Sequence, residues 1–147
     1  MNLFKVLDIS ASALLAERQR AEVVSSNLAN AESTSTPGGG PYKRMHVVFG
    51  AHPMQMHGFA MTLASFTDIN AEGVRVDRVV QDGAPPVRRF EPGSPDADAE
   101  GYVSYPAINP VEELVNLMGA ARAYQLNASA VQSTKNMIQA SIDIIKS

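Results

Sequence analysis

Apolar residues recur at heptad-like intervals at both ends of the chain and lose that order in between. At the front, Leu3, Leu7, Leu14, Ala21, Val24 and Leu28 share one side of a helix, with Ser10 and Glu17 as polar exceptions. So narrow a stripe predicts an amphipathic helix over residues 3–28 that seeks a partner along one seam. Arg18 and Glu22, four positions apart on the wetter side, add roughly 0.2–0.5 kcal/mol of helical support. Beyond Asn30 the run Ser33-Thr34-Ser35-Thr36-Pro37-Gly38-Gly39-Gly40-Pro41 cannot continue a helix and marks a flexible boundary.

The C-terminal pattern carries a start signal as well as a seam. Asn109 can cap, Pro110 suits the first helical position because its missing N–H has no intrahelical partner to lose, and Glu112 stands where a capping-box carboxylate reaches back. From there Leu114, Leu117, Ala121, Tyr124, Ala128, Val131, Ile138, Ile142 and Ile145 hold one stripe, interrupted by Lys135. At about 1.5 Å per residue the helix over 110–145 spans on the order of 50 Å, long for so short a chain. Gly119 lies inside it among Ala120, Ala121 and Ala123, small residues that allow another backbone to approach closely; the alternative is a tolerated glycine costing about 1 kcal/mol.

Between the helices, strand-like runs alternate with turn formers. Val47-Val48-Phe49, Thr62-Leu63-Ala64-Ser65-Phe66, Val74 to Val79 and Tyr102 to Tyr105 are the strand candidates, separated by Asp82-Gly83-Ala84-Pro85-Pro86 and Glu91-Pro92-Gly93-Ser94-Pro95. The expected fold is mainly α: two long terminal helices in an antiparallel coiled-coil-like pair, with a small antiparallel β-rich middle. The expected division is 1–35, 36–106 and 107–147.

Composition narrows the function more than the fold. The chain has 147 residues, 45% of them hydrophobic, enough for one core. A formal net charge of −3 and no Lys/Arg run leave no electrostatic footprint for nucleic acid or an anionic membrane surface. The absence of cysteine removes disulfides, thiolate metal sites and thiol nucleophiles. The start, with Lys5, Asp8, Ser10 and Ser12 early, does not read as a secretory signal, and no stretch approaches the roughly 18 apolar residues of a membrane span.

Candidate chemistry is thin. His46, His52 and His57 lack helical metal-ligand spacing, and Met45, Met54, Met56 and Met61 around them suit adaptable packing. Asp96, Asp98 and Glu100 followed by Gly101 match the first half of a calcium loop, but its twelfth position is Ala107 instead of glutamate, so a solvated acidic turn entering a strand at Tyr102 is the reading preferred. No nucleophile elbow, paired acid or phosphate loop occurs, which points away from an enzyme and from any cofactor.

Several stretches carry a resemblance. Ser26-Asn27-Leu28-Ala29-Asn30, followed by Thr34, is similar to the N-terminal signature of the bacterial rod-and-hook proteins, and Pro41-Tyr42-Lys43-Arg44 to that family's Pro-Tyr-Arg-Arg stretch. Pro95 to Val103, Tyr105-Pro106 and Asn109 to Glu113 resemble the signature of the proximal rod branch. Arg122-Ala123-Tyr124 and Asn127 resemble the family's Arg-Ala-Tyr-Glu-Ala-Asn element, although Gln125 and Leu126 replace its Glu and Ala. The resemblance covers both ends and the join into the last helix. Residues 50–72 follow no family pattern, and Gly38-Gly39-Gly40 is a local elaboration.

The resemblance implies a non-enzymatic subunit of the flagellar basal-body rod, the hollow shaft that transmits motor torque through the periplasm and houses the export channel. It further implies type III export without a cleaved signal, and termini that gain order only on assembly. The implied partners are copies of itself, other rod proteins, hook-basal-body proteins, and the membrane ring and export apparatus at the rod base, with no nucleic acid or small-molecule substrate. The expected assembly interface unites the two stripes with Asn27, Asn30, Gly119 and Asn127. Another axial or hook-basal-body protein, or a coiled-coil adaptor, would carry the same stripes; a calcium- or histidine-dependent enzyme is the rival of a different class.

Overall fold

A computed structural model describes residues 3–53 and 72–146, without the side chains of His52, Pro53, Glu72, Ile145 and Lys146. The elements run α1 (Leu3–Ala29), β1 (Met45–Pro53), β2 (Glu72–Gln81), β3 (Val87–Phe90), β4 (Tyr102–Tyr105) and α2 (Pro110–Lys146). The chain divides into two compact units: Met1–Gln19, Phe49–Asp77 and Ala121–Ser147 form one, Arg20–Val48 and Arg78–Ala120 the other. Each unit draws on both terminal helices and on the region between them.

Both helices form where the patterns place them, and their ends show why. α1 stops at Asn30, whose backbone N–H and side-chain Nδ2 both donate to the Ser26 carbonyl, at 3.1 and 2.9 Å. Ser33 then closes back on Asn30 through its backbone N–H to the carbonyl and its hydroxyl to Oδ1, both at 3.1 Å. α2 starts on Asn109, whose Oδ1 accepts the Val111 N–H at 3.0 Å while its carbonyl accepts the Glu113 N–H at 3.1 Å. That is N-capping without the expected capping box: Glu112 turns toward Arg44, 3.8 Å away, instead of reaching back.

The boundary after α1 corrects the expectation of a flexible stretch. Thr36 donates its N–H to the Gly40 carbonyl at 3.0 Å, Gly39 donates to the Thr36 carbonyl at 2.9 Å, and Tyr42 donates to the Ser33 carbonyl at 3.0 Å. Gly39 and Gly40 have φ of 82° and 73°, the left-handed region where a side chain is strained. The triple glycine is thus a hydrogen-bonded turn.

Among the described residues the middle region forms two two-stranded sheets, β1 with β2 and β3 with β4, where the sequence suggests one antiparallel unit. Val47 to Phe49, Val74 to Val79 and Tyr102 to Tyr105 lie in β1, β2 and β4; Thr62 to Phe66 fall outside the described residues. β3 is the strand that the sequence does not announce. Its Val87-Arg88-Arg89-Phe90 is exposed throughout and takes strand geometry from antiparallel pairing, Val87 opposite Tyr105 and Phe90 opposite Tyr102.

Among the described residues the buried apolar ones are Ala16, Val24, Val103 and Ala120. Ser10, Asn27, Glu113 and Thr134 are buried with them, while Phe4, Leu15, Val115, Met118 and Leu126 face outward.

Candidate functional site

Two features stand out: a buried polar joint and an exposed apolar helix face. The joint is built on Asn27, in the last full turn of α1 and 1% exposed. Its Nδ2 donates to the Met45 carbonyl at 2.8 Å and to Glu113 Oε2 at 2.9 Å. Its Oδ1 accepts the Met45 N–H at 2.9 Å and the Tyr42 hydroxyl at 3.2 Å. Both donors and both lone pairs of the amide are therefore used. Asn27 pairs with the first residue of β1 as a neighbouring strand would, and holds the first turn of α2 in the same grip.

Glu113 supplies the opposite charge. It is 1% exposed, hydrogen-bonds Asn27 through one oxygen and forms an ion pair with the Arg44 guanidinium through the other. A carboxylate in the first turn of α2 is also favoured by the helix dipole. A buried charge of this kind is tolerated only when paired and hydrogen-bonded. Arg44 Nε is itself buried and finds no acceptor among the described residues.

A second set of contacts organises the acidic turn. Asp98 Oδ1 accepts the N–H groups of Glu100 and Tyr102 at 3.0 and 2.8 Å, and its Oδ2 takes the Arg88 guanidinium. The Tyr102 N–H, foremost, and then Arg88 hold the Asp98 carboxyl below its ordinary pKa, against partial desolvation. Arg88 stacks on the Tyr102 ring at 4.7 Å and Arg89 on the Tyr105 ring at 4.5 Å. The Thr34 hydroxyl donates to Asp96 Oδ2 at 2.6 Å, tying the sequence after α1 to this turn. The carboxylates of Asp96 and Asp98 are thus engaged within the chain, as a turn that leads into β4.

His46 Nε2 lies 3.1 Å from Asp82 Oδ2, and this bond, with a second from the Ala84 N–H, keeps the Asp82 carboxyl below its ordinary pKa. Among the described residues no three His, Asp or Glu side chains group as a metal site would require. His57, Met54, Met56 and Met61 lie outside the described residues, as does the His52 side chain.

The two expected stripes differ in how far they face inward. On α1, Val24 and Asn27 are buried and Leu3, Leu7, Leu14, Ala21, Leu28 and Asn30 half-buried, so that stripe faces inward. On α2, the buried set is Glu113, Ala120 and Thr134, with Asn127 half-buried between them, a strict heptad. Asn127 and Thr134 satisfy themselves by donating to the carbonyls of Ala123 and Ala130, four residues back, at 2.9 Å each. Of the expected stripe, Leu117, Val131 and Ile138 are half-buried, whereas Leu114, Ala121, Tyr124, Ala128 and Ile142 are exposed, and the Ile145 side chain is not described. The inward face thus overlaps the expected stripe at Leu117, Val131 and Ile138 and takes in small and polar side chains beside them. Gly119 is exposed, and a Cβ placed there would meet nothing within 4 Å.

Sequence reasoning passed over Arg44 and Glu113 as functional residues. Both sat inside stretches of family resemblance, and the signal available was a carboxylate in a helix's first turn and an arginine at the end of a turn. Only the fold brings them together across 69 residues of chain.

Comparison with known proteins agrees with the geometry's emphasis on the termini. Residues 7–37 match the family described as "Flagella basal body rod protein", and residues 99–144 that described as "Flagellar basal body rod FlgEFG protein C-terminal". The chain is 41% identical over 140 residues to the flagellar basal-body rod protein FlgC of Salmonella typhimurium, covering 94% of each chain. It is 35% identical over 150 residues to FlgC of Bacillus subtilis, covering 99% of this chain and 100% of the other, and 32% identical over 151 residues to that of Borreliella burgdorferi, covering 99% of both. With matches of this extent at both ends and across the middle, the chain belongs to the FlgC family of flagellar basal-body rod proteins.

Proposed function

We propose that this chain is a structural subunit of the basal-body rod that polymerises through the outward faces of its two terminal helices. The observation that carries the reading is the exposure of large apolar side chains on the outward faces of both terminal helices. Phe4 and Leu15 on α1, and Val115, Met118 and Leu126 on α2, are each more than half exposed. Fully burying a side chain of this size stabilises by about 1.5–3 kcal/mol, so several buried together in a neighbour's surface outweigh the ordering that assembly demands.

In this reading α1 and α2 run as an antiparallel pair, the 36–106 segment decorates them, and each subunit presents different faces to its neighbours. Contacts of that kind do not close on themselves and propagate as a helix, which is how a tubular shaft grows. Torque then passes through many small contacts. Gly119 and Ala121, both open in the single chain, are where a neighbouring backbone comes closest. The neighbours are further copies, other rod proteins and hook-basal-body proteins, with the membrane ring and export apparatus at the base. The subunit reaches the periplasm by type III export.

The test is a chain carrying Met118→Glu and Leu126→Glu, returned to cells that lack their own copy. Loss of swimming with the variant still folded and exported is expected; normal motility would sink the outward-face assignment.

A further inference from the structure

Asp82-Gly83 is the one Asp-Gly step in the chain, and no Asn-Gly step occurs. We propose that this step is a site of spontaneous backbone modification, the conversion of aspartate to isoaspartate, and that His46 is the positioning residue that holds it closed. The inference goes beyond the rod-subunit reading and draws on the end of β2 instead of the helix faces.

The two neighbouring residues supply the whole reaction. With the Asp82 carboxyl protonated, the Gly83 nitrogen attacks Cγ; a C–N bond forms, the Cγ–OH bond breaks, and the hydroxyl leaves as water with the Gly83 proton. Water then opens the resulting five-membered imide. Addition at Cγ restores aspartate, whereas addition at the Asp82 main-chain carbonyl carbon leaves the chain running through Cγ with the α-carboxylate free. One water is lost and one regained, so no other reactant is needed. Glycine hinders the attack least, because no Cβ stands beside its nitrogen.

Three observations carry the inference. First, the nucleophile is open. Gly83 is exposed, a Cβ there would meet nothing within 4 Å, and its φ lies outside the left-handed region, so neither space nor conformation requires glycine. Its N–H donates to no acceptor among the described residues. Second, both oxygens of the electrophile are engaged. His46 Nε2 donates to Asp82 Oδ2 at 3.1 Å and the Ala84 N–H to Oδ1 at 3.0 Å, while the Asp82 N–H donates to the Arg44 carbonyl at 2.7 Å. To react, the carboxyl must turn Cγ toward the Gly83 nitrogen and take up a proton, and both moves break these bonds. The His46 bond, foremost, then the Ala84 N–H and the charges of His46 and Arg44 keep the carboxyl below its ordinary pKa, which makes the reactive neutral form scarce. Third, the side chains of His46 and Asp82 are 44% and 32% exposed, so water has access and hydrogen bonding, not burial, is the protection. All these residues belong to one compact unit. Isoaspartate would add a carbon to the main chain directly after β2 and draw the carboxylate away from His46.

Trypsin, cutting after Arg78 and Arg88, releases residues 79–88, in which Asp82 is the sole aspartate and asparagine is absent. Isoaspartate in that peptide is followed by chromatography and fragmentation while purified basal bodies containing the chain stand at mildly acidic pH, beside the same chain dissolved in urea. Accumulation is expected to be several-fold slower in the basal bodies, and equal rates would overturn the proposal. His46→Ala is expected to raise the basal-body rate several-fold. His46→Gln, whose amide reaches as far as the imidazole Nε2 and donates the same bond, is expected to stay near the parent, and adding Gly83→Ala to His46→Ala to bring the rate back down. An unchanged rate in His46→Ala would refute the role of His46. Should that variant not assemble, His46→Asn, whose amide stops short of Asp82, carries the same test: a faster rate supports the assignment and the parent's rate refutes it.

Discussion

The two sides of α2 differ in what they carry. Its inner side mixes Leu117, Val131 and Ile138 with Glu113, Ala120, Asn127 and Thr134, and its outer side carries Val115, Met118 and Leu126 at 63%, 71% and 67% exposure. A helix folded only for itself would not leave the second set outside. The contrast teaches that the inner face makes definite polar contacts within the chain while large apolar side chains stay outside, the observation on which the proposed interface rests. Large outward apolar residues without a partner mark an interaction face.

The sharpest way to break that contrast is to truncate one residue on each side. Glu113→Ala takes from the half-buried Arg44 its buried counter-charge and from Asn27 Nδ2 one of its two acceptors, and is expected to lower unfolding free energy by about 3–5 kcal/mol in urea titration. Met118→Ala on the outer face is expected to change it by less than about 0.5 kcal/mol. Equal losses from the two would erase the distinction between inside and outside.

A smaller effect is expected in the β3–β4 hairpin, which owes its shape to turn geometry. Gly101 has φ of 84°, and a Cβ there would lie 3.0 Å from Phe90 Cε2 and 3.2 Å from Pro92 Cβ. Gly101→Ala is therefore expected to cost about 1–3 kcal/mol, read as a lower midpoint of thermal unfolding. A silent substitution would mean that the turn relaxes freely and that the hairpin is less constrained than the joint.

The smallest effect is pH-dependent. The Asp98 carboxyl is held below its ordinary value of 3.8, first by the Tyr102 N–H and then by Arg88. A carboxyl whose folded pKa is the lower one contributes stability above its unfolded pKa and loses it as pH falls through the folded value. Asp82, held down by His46 and the Ala84 N–H, behaves the same way. Asp98→Asn should be less stable than the parent at neutral pH, with the difference shrinking as pH drops below about 4. A constant gap across that range would show that Asp98 acts by shape alone. Because the group is solvent-accessible, the change is expected to be modest.

Much of this architecture was legible in the residues. Heptad spacing drew both helices, Asn109-Pro110 marked the start of α2, and Ser26 to Asn30 marked the end of α1, because periodicity and capping are local properties. The class of function was legible too, since the stretches of resemblance lie at the ends that the comparisons match. β3 was not legible: Val87-Arg88-Arg89-Phe90 has no strand pattern of its own, and its geometry is supplied by the partner strand. Nor was the ordered turn at Gly38 to Gly40, whose hydrogen bonds depend on where Thr36 and Tyr42 are held.

The sequence by itself determined where the helices begin and end, that large apolar side chains recur along them, and the family to which they point. Tertiary structure alone decided which polar and small residues join the apolar ones on the inward side of α2. Spacing counts apolar residues and assumes that they seek the interior, whereas the fold fills its interior with the pair that Arg44 and Glu113 make at long range, and with residues small enough to let helices approach. A periodic pattern encodes a face; what that face meets depends on contacts made between residues far apart in the chain.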